Sequence, residues 1–111
     1  MMNPEIKSKW LAALRSDTYA QARSCLCIVS EGEPAHYCCL GVLCEILGRP
    51  KKPDSPGAFC VRFLYDGEAM YPTDDVLASV SLDPAEAVIL AEMNDRGRPF
   101  REIADHIEAH L

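Results

Sequence analysis

The sequence predicts a single α+β domain over residues 1–111, and three observations support that class. Of the 111 residues, 49% are hydrophobic and 25% are charged, an ordinary globular composition. A chain of this length can build one core without disulfide or metal staples. Segments of helical and strand periodicity follow in the order helix, hairpin, buried helix, hairpin, then helices. We therefore expect two β-hairpins that form a small antiparallel sheet around a buried central helix, with an N-terminal helix and a C-terminal αα-hairpin.

The N-terminal segment has the signals of a helix followed by a hairpin. Asn3 is a favourable N-cap, and Pro4 occupies the first helical position, where its missing N–H costs nothing. Apolar residues at helical spacing extend this helix to Arg15. Residues 25–30, CLCIVS, predict a strand, and residues 35–38 can return antiparallel to it after a short turn.

The segment CLGVLCEIL, residues 39–47, predicts a buried helix. Glu45 is its only polar residue, and a short helix that is apolar on nearly every side is a buried one. Gly41 would cost about 1 kcal/mol relative to alanine in an exposed helix, so its presence indicates close backbone packing.

Residues 51–58, KKPDSPGA, predict a polar loop before a second hairpin. In that hairpin, residues 59–65 form one strand, Asp66-Gly67 forms the turn, and residues 68–71 form the returning strand.

Three further helices are predicted. Thr73 caps a short one, and Asp83-Pro84 begins another that extends to residue 95 with Val88, Ile89 and Met93 inward. The last helix has its apolar stripe at Phe100, Ile103, Ala104, Ile107 and Leu111.

Charge and composition restrict the classes of partner. Eleven basic and seventeen acidic residues give a net charge of −6, which disfavours nonspecific nucleic-acid binding and suits a basic protein groove that normally receives nucleic acid. The first residues lack the apolar stretch and the cleavage site of a secretory signal, so we expect none, and no apolar run is long enough to span a membrane. We expect a cytoplasmic protein with reduced thiols and no membrane partner.

The cysteine-rich segment raises a choice between metal binding, catalysis and packing. Cys39 and Cys44 are five positions apart, which on a helix places their side chains roughly 140° from each other. No other cysteine pair has the C-x₂₋₄-C spacing of a structural zinc site, so we expect neither a metal site nor a cofactor. His36 and Cys38 would share a strand face, which is the minimum for an activated thiol. Free cysteine otherwise behaves as a small buried hydrophobe. The packing interpretation is favoured, and no catalytic residue is predicted.

The C-terminal sequence MNDRGRPFREIADHIEAHL is similar to the opening of a helix-turn-helix unit. In such units a recognition helix follows the E-I-A helix, and none follows here. Acidic residues also outnumber arginines from residue 83 onward, so an αα-hairpin that packs on the sheet is favoured over a DNA-binding regulator. Arg96, Arg98 and Arg101 form a basic cluster that could hold an anion or be simply solvated.

Three stretches carry a resemblance to a known family: NPEIKSKWLAALRSDTYAQAR, YCCLGVLCEI and LAEMNDRGRPFREIADHIE. With them, the chain resembles a widespread family of small proteins carried by bacteriophages and prophages. The central hairpin and TDDVLASV depart from that family, whose members tend to have a tryptophan-containing segment there. The resemblance implies a phage setting rather than a mechanism, and phage accessory proteins of this size often inhibit bacterial immunity.

These observations lead to a first hypothesis of a non-enzymatic, anti-CRISPR-like inhibitor that binds a host defence protein or complex through acidic side chains. The candidate residues are Glu31, Glu33, Asp74, Asp75, Glu102, Asp105 and Glu108.

A second hypothesis is a pocket that sequesters a small nucleotide immune signal, with aromatic stacking and guanidinium contacts to phosphate. Its candidate residues are Tyr19, Gln21, Arg23, Arg62 and Tyr65. A homo-oligomer would favour this reading, because such pockets often lie between subunits. A thiol enzyme built on His36 and Cys38 is the third hypothesis.

Overall fold

A computed structural model describes residues 2–54 and 59–111 and confirms the α+β class. The predicted helices are present, and their bounds follow local signals closely. Asn3 accepts hydrogen bonds from the N–H groups of Glu5 and Ile6, and Thr73 and Asp83 cap two later helices through their side chains. The helices are α1 (Pro4–Arg15), α2 (Cys39–Ile46), α3 (Asp74–Ser79), α4 (Pro84–Asp95) and α5 (Phe100–His110).

The sheet is mixed rather than purely antiparallel. Its strands are β1 (Ala20–Gln21), β2 (Cys27–Ser30), β3 (His36–Tyr37), β4 (Lys51–Pro53) and β5 (Cys60–Tyr65). Within the described residues their order is β1-β3-β2-β5-β4, and β1 pairs parallel to β3. The predicted β2–β3 hairpin is confirmed. Two residues are too few to show strand periodicity, which is why β1 was not predicted.

The second hairpin was predicted with the wrong partner strand. β5 pairs antiparallel with β4, so a strand occupies the start of the predicted polar loop; residues 55–58 of that loop lie outside the described part. After the Asp66-Gly67 turn, Tyr65 and Glu68 exchange two backbone hydrogen bonds, and residues 69–71 form no strand. Lysines and a proline suit β4, because an edge strand leaves one side of its backbone unpaired.

Helix α2 is the centre of the core, as predicted. Every residue from Cys39 to Cys44 is buried. The inference of close packing at Gly41 is also confirmed, because a Cβ built there would overlap the carbonyl oxygen of Leu26. The indole Nε1 of Trp10 donates to the Cys39 carbonyl at 2.9 Å, which fixes α1 against the start of α2.

The predicted inward face of α4 is wrong in part. Val88 and Ile89 are 43% and 48% exposed, whereas Met93 is half-buried. The buried face consists of Ala87, Leu90, Ala91 and Asn94. Because α4 has apolar residues on several sides, its periodicity does not single out one face, and the small alanines allow close approach to α2. The stripe predicted for α5 is buried, with Leu111 half-buried at its end.

Asn94 connects three parts of the fold. It is completely buried. Its Oδ1 accepts from the Gln21 side chain at 2.9 Å and from the Cys39 N–H at 3.3 Å, and its Nδ2 donates to the Ala22 carbonyl at 2.6 Å. One side chain therefore fixes β1 and the start of α2 relative to α4. No helix in the described ranges is both long and apolar enough to cross a membrane.

Candidate functional site

The cysteines are core residues with one exception. Cys25, Cys27, Cys38, Cys39 and Cys44 are buried, and Cys60 is exposed. Burial raises the pKa of the Cys38 and Cys44 thiols to about 12 and the pKa of Cys39 well above its usual range. These thiols are protonated at neutral pH, and the thiolate is the nucleophilic form. The packing interpretation accounts for the cysteine-rich segment.

His36 and Cys38 are each engaged separately. The Cys38 Sγ caps α2 by accepting from the Gly41 N–H at 3.3 Å, and the His36 Nδ1 lies 2.8 Å from the Pro34 carbonyl oxygen. Cys38 is 4% exposed. A dyad at this position would need an accessible thiol of low pKa, and Cys38 is neither accessible nor of low pKa. In residues 2–54 and 59–111, no group of three or more His, Cys, Asp or Glu side chains is arranged to hold a metal ion.

The three candidate acids on α5 have arginine partners. Arg15 Nη2 lies 2.8 Å from Asp105 Oδ1 and 3.1 Å from Glu108 Oε1, and these hydrogen bonds raise the pKa of Arg15. Glu102 lies 3.6 Å from Arg98 Nη1. Local cations therefore offset much of the negative charge on this helix.

The other four candidate acids are free of such partners. Glu31 and Glu33 lie on the β2–β3 turn, and Asp74 and Asp75 form the first turn of α3. All four are exposed, and none has an ion pair within the part of the chain that the structure describes. Of the seven predicted contact residues, these four keep their charge available to a partner.

A cleft of about 470 Å³ lies between the end of α1, β1 and the start of α5. Tyr19 and Gln21 line it together with Arg101 and the apolar side chains of Leu14 and Phe100. The wall of the cleft also includes Arg15, Asp17 and Glu102. The structure thus places two members of the predicted ligand set in one concave site of a size typical for small molecules.

The basic cluster of the α4–α5 turn adjoins this cleft. The Gln21 side chain donates to the Arg98 carbonyl at 2.7 Å. Arg23 lies close to Gly97: a Cβ built on that glycine would be 2.7 Å from Arg23 Nη2. Gln21 and Arg23 of the predicted ligand set therefore meet the α4–α5 turn that carries the arginine cluster, although more than seventy positions separate them in the chain. No local sequence signal indicates this contact.

Arg62 and Tyr65 are not part of the cleft. Arg62 Nη2 lies 2.9 Å from Asp54 Oδ2. Tyr65 is 1% exposed, and its hydroxyl donates to Glu45 Oε2 at 2.8 Å. The same Glu45 oxygen accepts from Lys51 Nζ at 3.0 Å. Burial, followed by the hydrogen bond to Glu45, raises the pKa of Tyr65. The predicted role of Tyr65 in ligand stacking is incompatible with its burial.

The fold and its surfaces define a small α+β protein with five buried cysteines and charged exposed faces. The chain belongs to the family described as a domain of unknown function, DUF8296, whose model matches residues 2–59, just over half of the 111 residues. The matched region begins in the segment before α1 and contains the cysteine-rich helix α2. Searches of curated proteins and of solved structures gave no match.

Proposed function

We propose that the chain is a non-enzymatic phage-type accessory protein that inhibits a bacterial defence complex in the host cytoplasm, in the manner of anti-CRISPR proteins. Its acidic side chains would enter a basic groove that otherwise receives nucleic acid. The observation that carries the proposal is the set of four exposed carboxylates, Glu31, Glu33, Asp74 and Asp75, without ion pairs among the described residues.

Two physical arguments support this function. The free carboxylates do not have to break local ion pairs before they meet a basic partner, so electrostatic complementarity accelerates association. Such long-range attraction is screened by salt over about 8–10 Å at physiological ionic strength, so binding should weaken as salt rises. The buried, protonated thiols favour recognition rather than reaction as the role of the chain.

Expression of the chain in bacteria whose CRISPR–Cas system targets a phage is expected to restore plaque formation by that phage. A panel of strains, each with one defence system, identifies the complex that is inhibited. The variant Glu31→Gln, Glu33→Gln, Asp74→Asn, Asp75→Asn should lose the effect. The matched control Glu5→Gln, Asp17→Asn, Glu68→Gln, Glu92→Gln removes the same number of charges and should retain it. The proposal would be contradicted if the unmodified chain restored no plaques with any defence system. It would also be contradicted if the variant and the matched control lost the effect equally.

The cleft favours a second candidate function, a sponge for a small nucleotide signal. Tyr19 offers a ring for stacking, and Arg101, with the neighbouring Arg23 and Arg98, offers guanidinium groups for phosphate. A thermal-shift screen with cyclic mono- and dinucleotides separates the two functions. A ligand at a hundred times its Kd stabilises a sponge by about 2.7 kcal/mol, and Arg101→Ala should reduce that shift. The inhibitor proposal predicts no shift with any of them.

A further inference from the structure

Two of the three histidines in the chain form a pair on one face of α5. His106 and His110 are four residues apart, and the centroids of their rings are 4.5 Å apart. His106 is half-buried and His110 is exposed. Across the described residues, neither imidazole forms a hydrogen bond, whereas the third histidine, His36, lies within hydrogen-bond distance of a carbonyl oxygen. The nitrogen atoms of the pair are therefore available to a ligand.

The surroundings of the pair favour a cation. Both rings line a cavity of about 220 Å³ between α4 and α5, and Glu86 of α4 faces the same cavity. The remaining wall is apolar and includes Ile89 and Leu111. The carboxyl end of a helix carries partial negative charge on its last carbonyl groups, and His110 lies in the last turn of α5. A carboxylate and a helix terminus thus both contribute negative potential at the rings.

We propose that His106 and His110 bind one divalent transition-metal ion of the Zn²⁺, Ni²⁺ or Cu²⁺ class through one nitrogen each. Imidazole is a preferred ligand for these metals. Histidines at positions i and i+4 present two nitrogens on one helix face, which is the spacing used by helical zinc sites. Because the described residues contain no group of three or more ligating side chains in metal-binding arrangement, water completes the coordination. The site is separate from the acidic side chains of the proposed inhibitor function.

Isothermal titration of the tag-free chain of 111 residues with ZnCl₂ and with NiCl₂ tests the site. We expect one ion per chain. His106→Ala and His110→Ala should each weaken binding about tenfold or more, because the second imidazole acts at a high effective concentration once the first has bound. His36→Ala is the matched control and should leave the affinity unchanged. Cys60→Ser should also leave it unchanged, which separates the histidine pair from the exposed thiol.

The variants of the pair can be checked for folding by circular dichroism. His106→Gln and His110→Gln keep a polar side chain at each position and provide a second pair of substitutions if alanine disturbs α5. The proposal is wrong if the unmodified chain binds neither metal at millimolar concentration. It is also wrong if binding depends on His36 or Cys60, or if it survives the loss of both His106 and His110.

Discussion

Gly41→Ala is expected to lower the free energy of unfolding by about 4 kcal/mol or more, a loss at the extreme of what single substitutions cause. The added Cβ would overlap the backbone carbonyl of Leu26 rather than a side chain that could rotate away. That carbonyl accepts from the Cys38 N–H at 3.3 Å, and the Leu26 N–H donates to the Ala69 carbonyl at 2.7 Å. The Leu26 backbone cannot move away from α2 without breaking these two hydrogen bonds. A domain usually has only about 5–15 kcal/mol in total, so the variant would lose a large share of its stability.

Urea unfolding followed by circular dichroism measures this loss, and Gly48→Ala is the matched control. Gly48 has φ +68°, and a Cβ there would have no neighbour within 4 Å. Its replacement should cost only the left-handed backbone strain of about 1–2 kcal/mol. Equal losses in the two variants would mean that α2 does not lie against Leu26 as described.

Asn94→Ala is expected to lower the free energy of unfolding by about 3 kcal/mol, because a buried group that loses its partner costs about 1–3 kcal/mol. The variant leaves the Cys39 N–H and the Ala22 carbonyl without this partner in the interior. The Gln21 side chain keeps its hydrogen bond to the Arg98 carbonyl, so losing its hydrogen bond to Asn94 costs less free energy. The effect should extend to the cleft, because Asn94 fixes β1, which carries Gln21, against α4.

Asn3→Ala is the control for Asn94→Ala. Asn3 also makes hydrogen bonds to backbone N–H groups, but it is exposed at the start of α1, where water can replace it. Loss of such a cap costs about 1 kcal/mol. Chemical denaturation compares the two variants, and hydrogen exchange at the Cys39 amide reports the local change. If Asn94→Ala lowers the free energy of unfolding no more than Asn3→Ala does, the hydrogen bonds of Asn94 do not hold β1 and α2 against α4.

Local signals predicted the helices well, because capping acts over a few residues. Asn3 with Pro4 and Asp83 with Pro84 begin helices at the expected positions, since each cap bonds to N–H groups two or three positions on. The inward side of α4 could not be read in the same way. Its apolar residues allow several buried faces, and only contact with α2 decides between them.

Long-range pairing was the limit of sequence reasoning. The Asp66-Gly67 turn is present, yet β2 and β4, the two strands that pair with β5, both precede it in the chain. The candidate site shows the same limit. The ion pairs of Arg15 with Asp105 and Glu108, and the contact of Gln21 with Arg98, join the two ends of the chain. No periodicity or spacing contains that information, so the division of the acids into paired and free groups required the structure.

Thiol labelling of the native chain tests the role of the cysteines most directly. Iodoacetamide treatment followed by mass spectrometry should modify Cys60 quickly and the five buried cysteines only after denaturant is added. Their protection has two causes, exclusion from solvent and a raised thiol pKa. Rapid modification of Cys38 or Cys39 in the folded chain would contradict a packed, unreactive core and would restore thiol chemistry as a candidate function.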